Sequence, residues 1–451
     1  MPGRTHEAIL FSKSTGLNDS YETTGPQYTA DGATDIIACK NLTTTPEGKL
    51  IKVPDYNTVV SSGPVLAMTS GDRILCQKDG HLEEFNGNSC NLLTTSPAFL
   101  DGVIAKLITT PVDIRINNGS ELYKYVTGST SYSVLVLGAY KGPYTSQSFS
   151  RMPSFDSGFV FNSKLFITKD KFLSHSEDYY YDVWKNSSNY ITSNSPILQS
   201  GQIPGCIITT HKNGVTGYFG TSINKFEKKF YPCEVLNGSL YSGLVSKIYD
   251  NAHVFMCTDG VYVLTADGKL INLTVTNTDH LDLLNTQYTT TVVIDGKYLA
   301  YGDLLCVEYD FVTKAISLRD TNTVNCSGIY KNIQYFGNST GLVSFGTYPG
   351  ISTLTTTVQL PYSDMGNSNT KQLRYLYFTG KITGSATLTI RNQYGNVVTK
   401  DISNLGYVQN HKISGIRLIK GQKLSVEITT QDGEFKLEEL RSAFYICSSR
   451  N

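Results

Sequence analysis

The sequence predicts an all-β protein, with a β-propeller-like domain of serial antiparallel hairpins followed by a C-terminal β-sandwich or jelly roll. Three observations carry this prediction. Tyr and Phe account for 30 and 19 of the 451 residues, and aromatic side chains favour strands. Asp-Gly and Asn-Gly pairs, which tolerate the positive φ angles of tight hairpins, recur between apolar runs of strand length. Residues 355–451 then change character, with strand-like runs separated by Gly, Asn and Ser clusters.

Residues 1–54 are interpreted as an N-terminal arm or a set of first strands. This segment is polar and rich in turn residues, with short apolar pieces such as residues 8–11. We expect it either to pack as an extended arm on another surface or to supply a strand that closes the propeller. Residues 1–7 lack a long apolar core, so no signal peptide is expected.

Residues 55–354 are assigned to the propeller-like domain because hairpin units repeat along them. The clearest unit joins runs at 253–257, 261–264 and 270–274 through Asp259-Gly260 and Asp267-Gly268. Similar units start at 73–77 and at 298–301. The first run of each unit is apolar on both faces, which predicts a buried inner strand. The last runs alternate between apolar and polar residues, which predicts a solvent-exposed outer strand. This alternation describes a propeller blade.

The number of blades follows only roughly from length. At about 40–50 residues per blade, this region holds about six or seven blades. A series of stacked sandwiches would use the same signals and stays open as an alternative.

The C-terminal unit, residues 355–451, is predicted to be a separate β-sandwich. Helix signals are few throughout the chain, and the best candidate is the short segment 279–288. The predicted strands of the C-terminal unit are 371–378, 386–391, 415–419, 423–429 and 435–445.

Composition excludes some classes of function. Lys+Arg and Asp+Glu are both 38, so the chain lacks the basic surplus of a protein that grips nucleic acid through its phosphates. The nine cysteines are scattered and never in CxxC spacing, which favours free buried thiols over a disulfide framework or a zinc site. No run approaches the ~18 apolar residues of a membrane helix.

Motifs of catalysis and cofactor binding are absent from the sequence. There is no P-loop, no HExxH and no GxSxG, and the glycines Gly214, Gly217 and Gly220 have the wrong spacing for a dinucleotide-binding loop. We therefore predict a protein that is not an enzyme, with no catalytic, cofactor-binding or metal-binding residue and no cofactor.

Two acidic groupings are alternatives to this prediction. His175-Ser176-Glu177-Asp178 would suit a calcium or general-acid site, or simply a polar loop that ends a strand. Asp259 and Asp267 would suit calcium, although both precede Gly in turns, which explains them without a metal. Glycosidases take their two acids from distant strands, so a propeller glycosidase or sialidase also stays open.

A series of short motifs runs in a fixed order through residues 16–56. The motifs are Gly16-Leu17-Asn18, then 27–35, 38–42 and 46–50, and finally 51–56, which ends in Val53-Pro54-Asp55-Tyr56. This order resembles the opening of tail-hub and tail-nozzle proteins of short-tailed bacteriophages, a group related to packaged-DNA stabilisation proteins. Val53-Pro54-Asp55-Tyr56 stands where Arg-Pro-Gly-Tyr is usual in that group.

Later segments resemble the same group. Residues 164–184, with Ser176-Glu177-Asp178 and Trp184, are similar to a blade segment of that group, and so are residues 260–274 with their "GVY", "DG" and "NLT" pieces. Residues 421–428 and 437–440 look like its terminal sandwich.

The resemblance implies a virion structural protein. Members form ring-shaped homo-oligomers, often hexamers, below the portal and its adaptor. They extend the DNA channel, retain the packaged genome, allow its ejection and offer a surface for tail fibres, spikes or a needle. Partners implied for this chain are therefore other copies of itself, the portal and adaptor proteins, these appendages and DNA in transit without sequence specificity. The implied location is the virion tail, after synthesis in the host bacterial cytoplasm. A receptor- or carbohydrate-binding tail component is the alternative, with a propeller glycosidase less favoured.

Overall fold

The computed structural model describes most of the chain, and within that part the fold is all-β. The described residues are 5–17, 33–61, 63–78, 80–93, 99–100, 102–126, 134–136, 149–185, 187–274, 287–303, 305–320, 324–345, 352–417 and 419–447. A single 3-10 turn at Ile223–Lys225 is the one helical element among them. The predicted propeller-like domain and the predicted sandwich are both present.

The described residues up to Ser61 contribute seven strands, of which the seventh belongs to the propeller. The second and third strands pair with each other in parallel. The strands are β1 (Thr5–Phe11), β2 (Lys13–Leu17), β3 (Ala33–Ile36), β4 (Ala38–Lys40), β5 (Leu42–Thr44), β6 (Leu50–Lys52) and β7 (Tyr56–Ser61).

The next 28 strands build antiparallel blades, each with its strands in sequence order from the innermost outwards. Blade 1 contains β8 (Val65–Met68), β9 (Ile74–Lys78), β10 (His81–Phe85) and β11 (Cys90–Leu92), and blade 2 contains β12 (Lys106–Thr109), β13 (Asp113–Asn117), β14 (Leu122–Val126) and β15 (Val134–Val136). Blade 3 contains β16 (Ser157–Phe161), β17 (Lys164–Lys169), β18 (Phe172–Glu177), β19 (Tyr180–Trp184) and the additional β20 (Tyr190–Thr192), and blade 4 contains β21 (Gln199–Ile203), β22 (Cys206–His211), β23 (Gly214–Phe219) and β24 (Glu227–Pro232).

Blade 5 contains β25 (Tyr241–Ser246), β26 (Asp250–Cys257), β27 (Gly260–Thr265) and β28 (Leu270–Asn272), and blade 6 contains β29 (Tyr288–Ile294), β30 (Lys297–Gly302), β31 (Leu305–Asp310) and β32 (Ile316–Asp320). Blade 7 contains β33 (Cys326–Tyr330), β34 (Ile333–Gly337) and β35 (Gly341–Phe345), and its outermost strand is β7 from the beginning of the chain.

The seven blades of the described residues close into a circle. Each innermost strand contacts the innermost strand of the next blade, and β33 of blade 7 returns to β8 of blade 1. β7 pairs with β35 from Tyr56↔Phe345 to Ser61↔Gly341, so a strand from the start of the chain completes the last blade. These contacts describe a propeller rather than a stack of sandwiches.

The predicted position of the buried strands needs a correction. The runs predicted as inner strands are β9, β26 and β30, which are buried as expected but are the second strands of their blades. The innermost strands, such as β8 and β25, are half-exposed. A second strand has a strand on each side and a neighbouring blade against each face, whereas an innermost strand turns one edge to the central channel.

The sandwich uses strands from both ends of the chain. One sheet has the order β40-β37-β43-β6-β5, with β1 on β43 and β41 on β37. The facing strands β4-β36-β42-β38-β39 continue blade 6 through β32 as a nine-stranded sheet. Leu376, Phe378 and Leu388 are fully buried between the sheets. The C-terminal strands are β36 (Thr356–Gln359), β37 (Lys371–Ile382), β38 (Ser385–Asn392), β39 (Val397–Asp401), β40 (Gly406–Ile413), β41 (Lys420–Gly421), β42 (Leu424–Gln431) and β43 (Phe435–Ile446).

Two local predictions have different outcomes. The predicted strand 415–419 is wrong: its described residues are not in a strand, and β40 lies just before it. β40 was missed because Tyr407 and Lys412 face solvent, which leaves little apolar pattern. Of the predicted helix 279–288, residues 279–286 lie outside the described residues, and Tyr288 begins β29. The boundaries predicted at 54/55 and 354/355 stay predictions.

Candidate functional site

The central channel of the propeller is lined by strands that are almost without charge. Lys106 is the one charged residue in the seven described innermost strands, whose other residues are Ser, Thr, Gly, Gln, Cys, Tyr or apolar. No carboxylate lies on these strands, so two acids of a glycosidase would have to come from elsewhere.

A Ser-Gly pair recurs in four of these innermost strands and explains how closely they approach. A Cβ on Gly201 would lie 2.1 Å from Ser242 Oγ of the next blade, and one on Gly328 would lie 2.2 Å from the Thr69 carbonyl oxygen of blade 1. Glycine therefore permits the contact between neighbouring blades. The pairs start at Ser157, Ser200, Ser242 and Ser327, which are 43, 42 and 85 residues apart.

Hydroxyl groups join the same strands across blade boundaries. Ser157 Oγ lies 3.1 Å from Ser200 Oγ, and Thr290 Oγ1 lies 2.8 Å from Ser327 Oγ. Hairpin signals alone did not predict this feature, although the Ser-Gly spacing of about one blade indicates both the repeat and the innermost strand.

The joint between propeller and sandwich is built around Asn41. This residue is fully buried and has a φ angle of 57°, a left-handed conformation that Asn tolerates better than most residues. Its Nδ2 donates to Asp320 Oδ2 at 2.8 Å and to the Thr355 carbonyl at 2.7 Å, and its Oδ1 accepts from Asp320 N at 2.7 Å. One side chain thus connects β4, the end of blade 6 and the chain entering the sandwich.

The next motif of the N-terminal segment completes the joint. The Asp55 carboxylate accepts from Ser352 Oγ and from Thr353 N, both at 2.9 Å. The Tyr56 hydroxyl donates to the Tyr301 hydroxyl at 2.8 Å, which ties β7 to blade 6. Of the N-terminal motifs quoted for the phage resemblance, Asn41 and Asp55 therefore lie where the two domains meet, whereas Asn18 and residues 27–32 lie outside the described residues.

A buried charge cluster lies beside this joint. Lys297 Nζ is 2.8 Å from Asp310 Oδ2 and 3.2 Å from Glu308 Oε1, and Arg319 forms an ion pair with Glu308. Burial raises the pKa of Glu308, but Arg319 and Lys297 outweigh it, so the net pKa lies below its usual value. Thr43 of β5 also donates to Glu308, which links the sandwich to the cluster.

A cleft of about 390 Å³ opens next to the cluster, between β5, blade 6 and Phe345. Its two cations, Lys297 and Arg319, both pair with Glu308, and Lys297 also pairs with Asp310. This arrangement holds two domains together and leaves neither carboxylate free for acid–base chemistry.

The sequence grouping around His175 lies in a polar pocket of about 510 Å³ between blades 3 and 4. The pocket brings His175, Glu177 and Asp178 together. Glu177 is 3.1 Å from Lys185, and Asp178 is 3.2 Å from Lys164. Burial raises the pKa of Glu177, but Asn189 and Lys185 outweigh it and leave a net pKa below its usual value, which is the opposite of what a general acid needs.

A calcium site is not assembled at any of the weighed positions. Asp267 pairs with Lys269 at 2.7 Å, and its pKa is lowered to about 2, chiefly by that contact. Asp259, at the opposite end of β27, accepts from the Tyr262 hydroxyl at 2.6 Å. Within the described ranges, no group of three His, Cys, Asp or Glu side chains is placed to hold a metal ion. All nine cysteines are free, and six are buried.

Comparison with known proteins adds a likeness of fold only. No protein-family model and no curated protein matches the chain. A streptogramin B lyase structure is 10% identical, with 66% of this chain and 97% of that one covered at a TM-score of 0.43. The extracellular domains of a putative one-component system and a putative hybrid two-component system from B. thetaiotaomicron are 10% and 12% identical, at TM-scores of 0.45 and 0.47. They cover 80% and 89% of this chain, which spans 48% and 60% of their length.

These likenesses carry no functional inference, because their TM-scores are below 0.5 and their identities at most 12%. None of the three is named as a tail protein. No helix in the described part of the chain has the length and apolarity to span a membrane.

Proposed function

We propose that this chain is a virion structural protein, a subunit of the tail hub or nozzle of a short-tailed bacteriophage. The observation that carries the proposal is the position of the motifs behind the resemblance. Asn41 and Asp55 lie at the joint between propeller and sandwich, and Tyr56 ties β7 of blade 7 to blade 6. Part of the resemblance therefore falls on residues that contact both domains.

The joint suits a subunit that bears load. A nine-stranded sheet runs from blade 6 into the sandwich, and β7 completes the propeller after β1, β4, β5 and β6 have entered the sandwich. Pulling the domains apart would require breaking backbone ladders and the buried contacts of Asn41 and Glu308 together. Such a subunit extends the portal channel, retains packaged DNA and lets it leave.

In this proposal DNA passes through the centre of a ring of subunits. The channel within one propeller is bounded by innermost strands that contact each other, as with Gly201 and Ser242. A chain with equal numbers of acidic and basic residues holds phosphates weakly, which favours sliding over retention by a tight clamp. The proposed partners are other copies in a hexamer, the portal and adaptor proteins, and fibres, spikes or a needle.

The proposal is tested by mixing the purified full chain with the portal–adaptor complex of the phage that encodes it. We expect co-sedimentation in a density gradient at a fixed stoichiometry, together with the portal. The matched control is the N41A variant, which keeps every surface residue and weakens the joint. A wild-type chain that sediments alone in every mixture would contradict the proposal.

A carbohydrate-binding tail component is the second candidate, and the polar pocket between blades 3 and 4 favours it. Asn162, Asn189, Asn224 and Tyr190 line the pocket and supply amide and aromatic groups suited to sugars. Binding on a glycan array that disappears in N189A would support this candidate. A glycosidase is less favoured, because both carboxylates of the pocket are paired with lysines.

A further inference from the structure

The solvent face of the sandwich carries a group of cations arranged around Tyr375, which we call the basic face: Arg374, Tyr375, Lys412, Arg417 and Tyr445. Lys412 Nζ lies 3.8 Å from the centre of the Tyr375 ring. The Arg374 guanidinium carbon lies 5.3 Å from that ring and 4.5 Å from the Tyr445 ring. Arg417 Nη2 donates to the Tyr375 hydroxyl at 3.0 Å. The rings hold the cationic groups in place at the surface.

The three cations of the basic face lack acidic partners. No carboxylate of the described residues lies within 4.0 Å of Arg374, Lys412 or Arg417, whereas the neighbouring Arg441 pairs with Glu439 at 2.6 Å. The hydrogen bond from Arg417, followed by the charges of Arg374 and Lys412, holds the pKa of Tyr375 below its usual value. An anionic group that docks here would meet three charges already oriented by aromatic rings.

A complementary surface exists on the same chain. Glu234, Asp259 and Asp303 are exposed, and no lysine or arginine of the described residues forms an ion pair with them. Asp259 follows β26 and Asp303 follows β30, so they occupy the same turn in consecutive blades 5 and 6. Glu234 lies in the same region as Asp259, because its carboxylate is 3.5 Å from Oγ1 of Thr258, the preceding residue. We call this set the acidic edge.

We infer that the basic face of one subunit docks on the acidic edge of a second copy of the chain. The inference rests on the proposed function and names the contact within its ring. The chain has 38 charges of each sign, so its net charge does not oppose contact between two copies. Two different surfaces that complement each other form a heterologous contact, which generates rings when the rotation closes.

Other occupants fit the basic face less well. A cation already lies over the Tyr375 ring, so that ring is poorly placed for stacking against a sugar. Duplex DNA is bound through many phosphate contacts, and three cations on a chain without net charge provide few. Complementary carboxylates in comparable number are present on the acidic edge.

The test exchanges the charges of the two surfaces in the full chain. R374E/K412E/R417E reverses the basic face. K225E/K228E/K247E changes three exposed lysines of blades 4 and 5, outside both surfaces, by the same total charge and serves as the control. The complementary variant is E234K/D259N/D303K, where Asn is chosen because position 259 lies in a tight turn that Asn tolerates. Rings are counted by negative-stain microscopy and assembly is followed by light scattering in 0.15 M NaCl, after thermal melting has shown that each variant folds.

We expect the reversed basic face to slow assembly about tenfold or more, because steering between complementary charges contributes factors of that size to association. The control should assemble like the wild type, and a chain that carries both exchanged surfaces should recover most of the rings. Rings that persist in R374E/K412E/R417E would overturn the inference while leaving the proposed function intact. The inference would also be overturned if the rings are lost in R374E/K412E/R417E and do not return in the chain that carries both exchanged surfaces. It would likewise be overturned if R374E/K412E/R417E still forms rings but no longer binds a DNA duplex that the wild type binds. A wild-type chain that never forms rings would instead refute the proposed function.

Discussion

Replacing Asn41 with Ala should loosen the joint between propeller and sandwich. The change removes two hydrogen bonds donated by Nδ2 and one accepted by Oδ1, all between 2.7 and 2.8 Å and in a fully buried place. Each is worth about 1 kcal/mol, and the one to the Asp320 carboxylate about 1.5–3 kcal/mol. Ala at a φ of 57° adds about 1 kcal/mol of backbone strain. The expected loss is about 5 kcal/mol.

Differential scanning calorimetry measures this loss as a fall in the melting temperature. An unfolding entropy of about 2.1 cal/mol/K per residue gives about 0.95 kcal/mol/K for 451 residues, so about 5 kcal/mol lowers the midpoint by about 5 °C. The matched control is N332A, since Asn332 has a φ of 65° but is exposed in a hairpin turn. It should lose only the strain term, about 1 °C. An N41A midpoint within 1 °C of the N332A midpoint would refute this account of the joint.

Three further changes test the propeller itself. E308Q should lower the free energy of unfolding in chemical denaturation by about 3–5 kcal/mol, because it leaves Arg319 buried without its anion. The control E427Q, which breaks the partly exposed pair with Arg391, should lower it by less than about 1 kcal/mol. Equal losses in the two variants would contradict the buried cluster. G328A should lower the free energy of unfolding by about 1–3 kcal/mol, because its Cβ would push blade 7 away from the Thr69 carbonyl oxygen of blade 1. A melting temperature equal to that of the wild type would contradict this close contact between the two strands. Burial lowers the pKa of His253 to about 3, below its value of about 6.5 in the unfolded chain. Because the unfolded chain then binds a proton that the folded chain excludes, the fold loses stability as the pH falls below about 6.5. Between pH 6.5 and 5, the free energy of unfolding of H253Q should fall by about 1.6 kcal/mol less than that of the wild type. Identical slopes of stability against pH would contradict the assignment.

Local signals predicted the hairpins well. The run at 253–257 lies in β26 and the run at 261–264 in β27, because Asp259-Gly260 fixes the turn between two apolar stretches. The innermost strands escaped notice because a strand that faces a channel on one edge needs no continuous apolar run. β21, with the sequence Gln-Ser-Gly-Gln-Ile, has Gly201 where Ser242 of blade 5 approaches and Ser200 where it bonds to Ser157 of blade 3.

The candidate site depends on pairs that are far apart along the chain. Asn41 and Asp320 are 279 residues apart, and Asp55 and Thr353 are 298 apart, so no spacing rule connects them. The resemblance drew attention to Asn41, Asp55 and Tyr56 without indicating what they contact. The cluster at His175 was visible because its residues are adjacent, but its lysine partners, Lys164 and Lys185, were not.

Electron microscopy of the purified full chain, alone and mixed with its portal–adaptor complex, tests the central proposal most directly. Class averages should show closed rings with a central hole and subunits of two lobes, one propeller and one sandwich, in at least one of the two conditions. Particles that remain single two-lobed subunits in both conditions would contradict the assignment of this chain to a tail hub or nozzle.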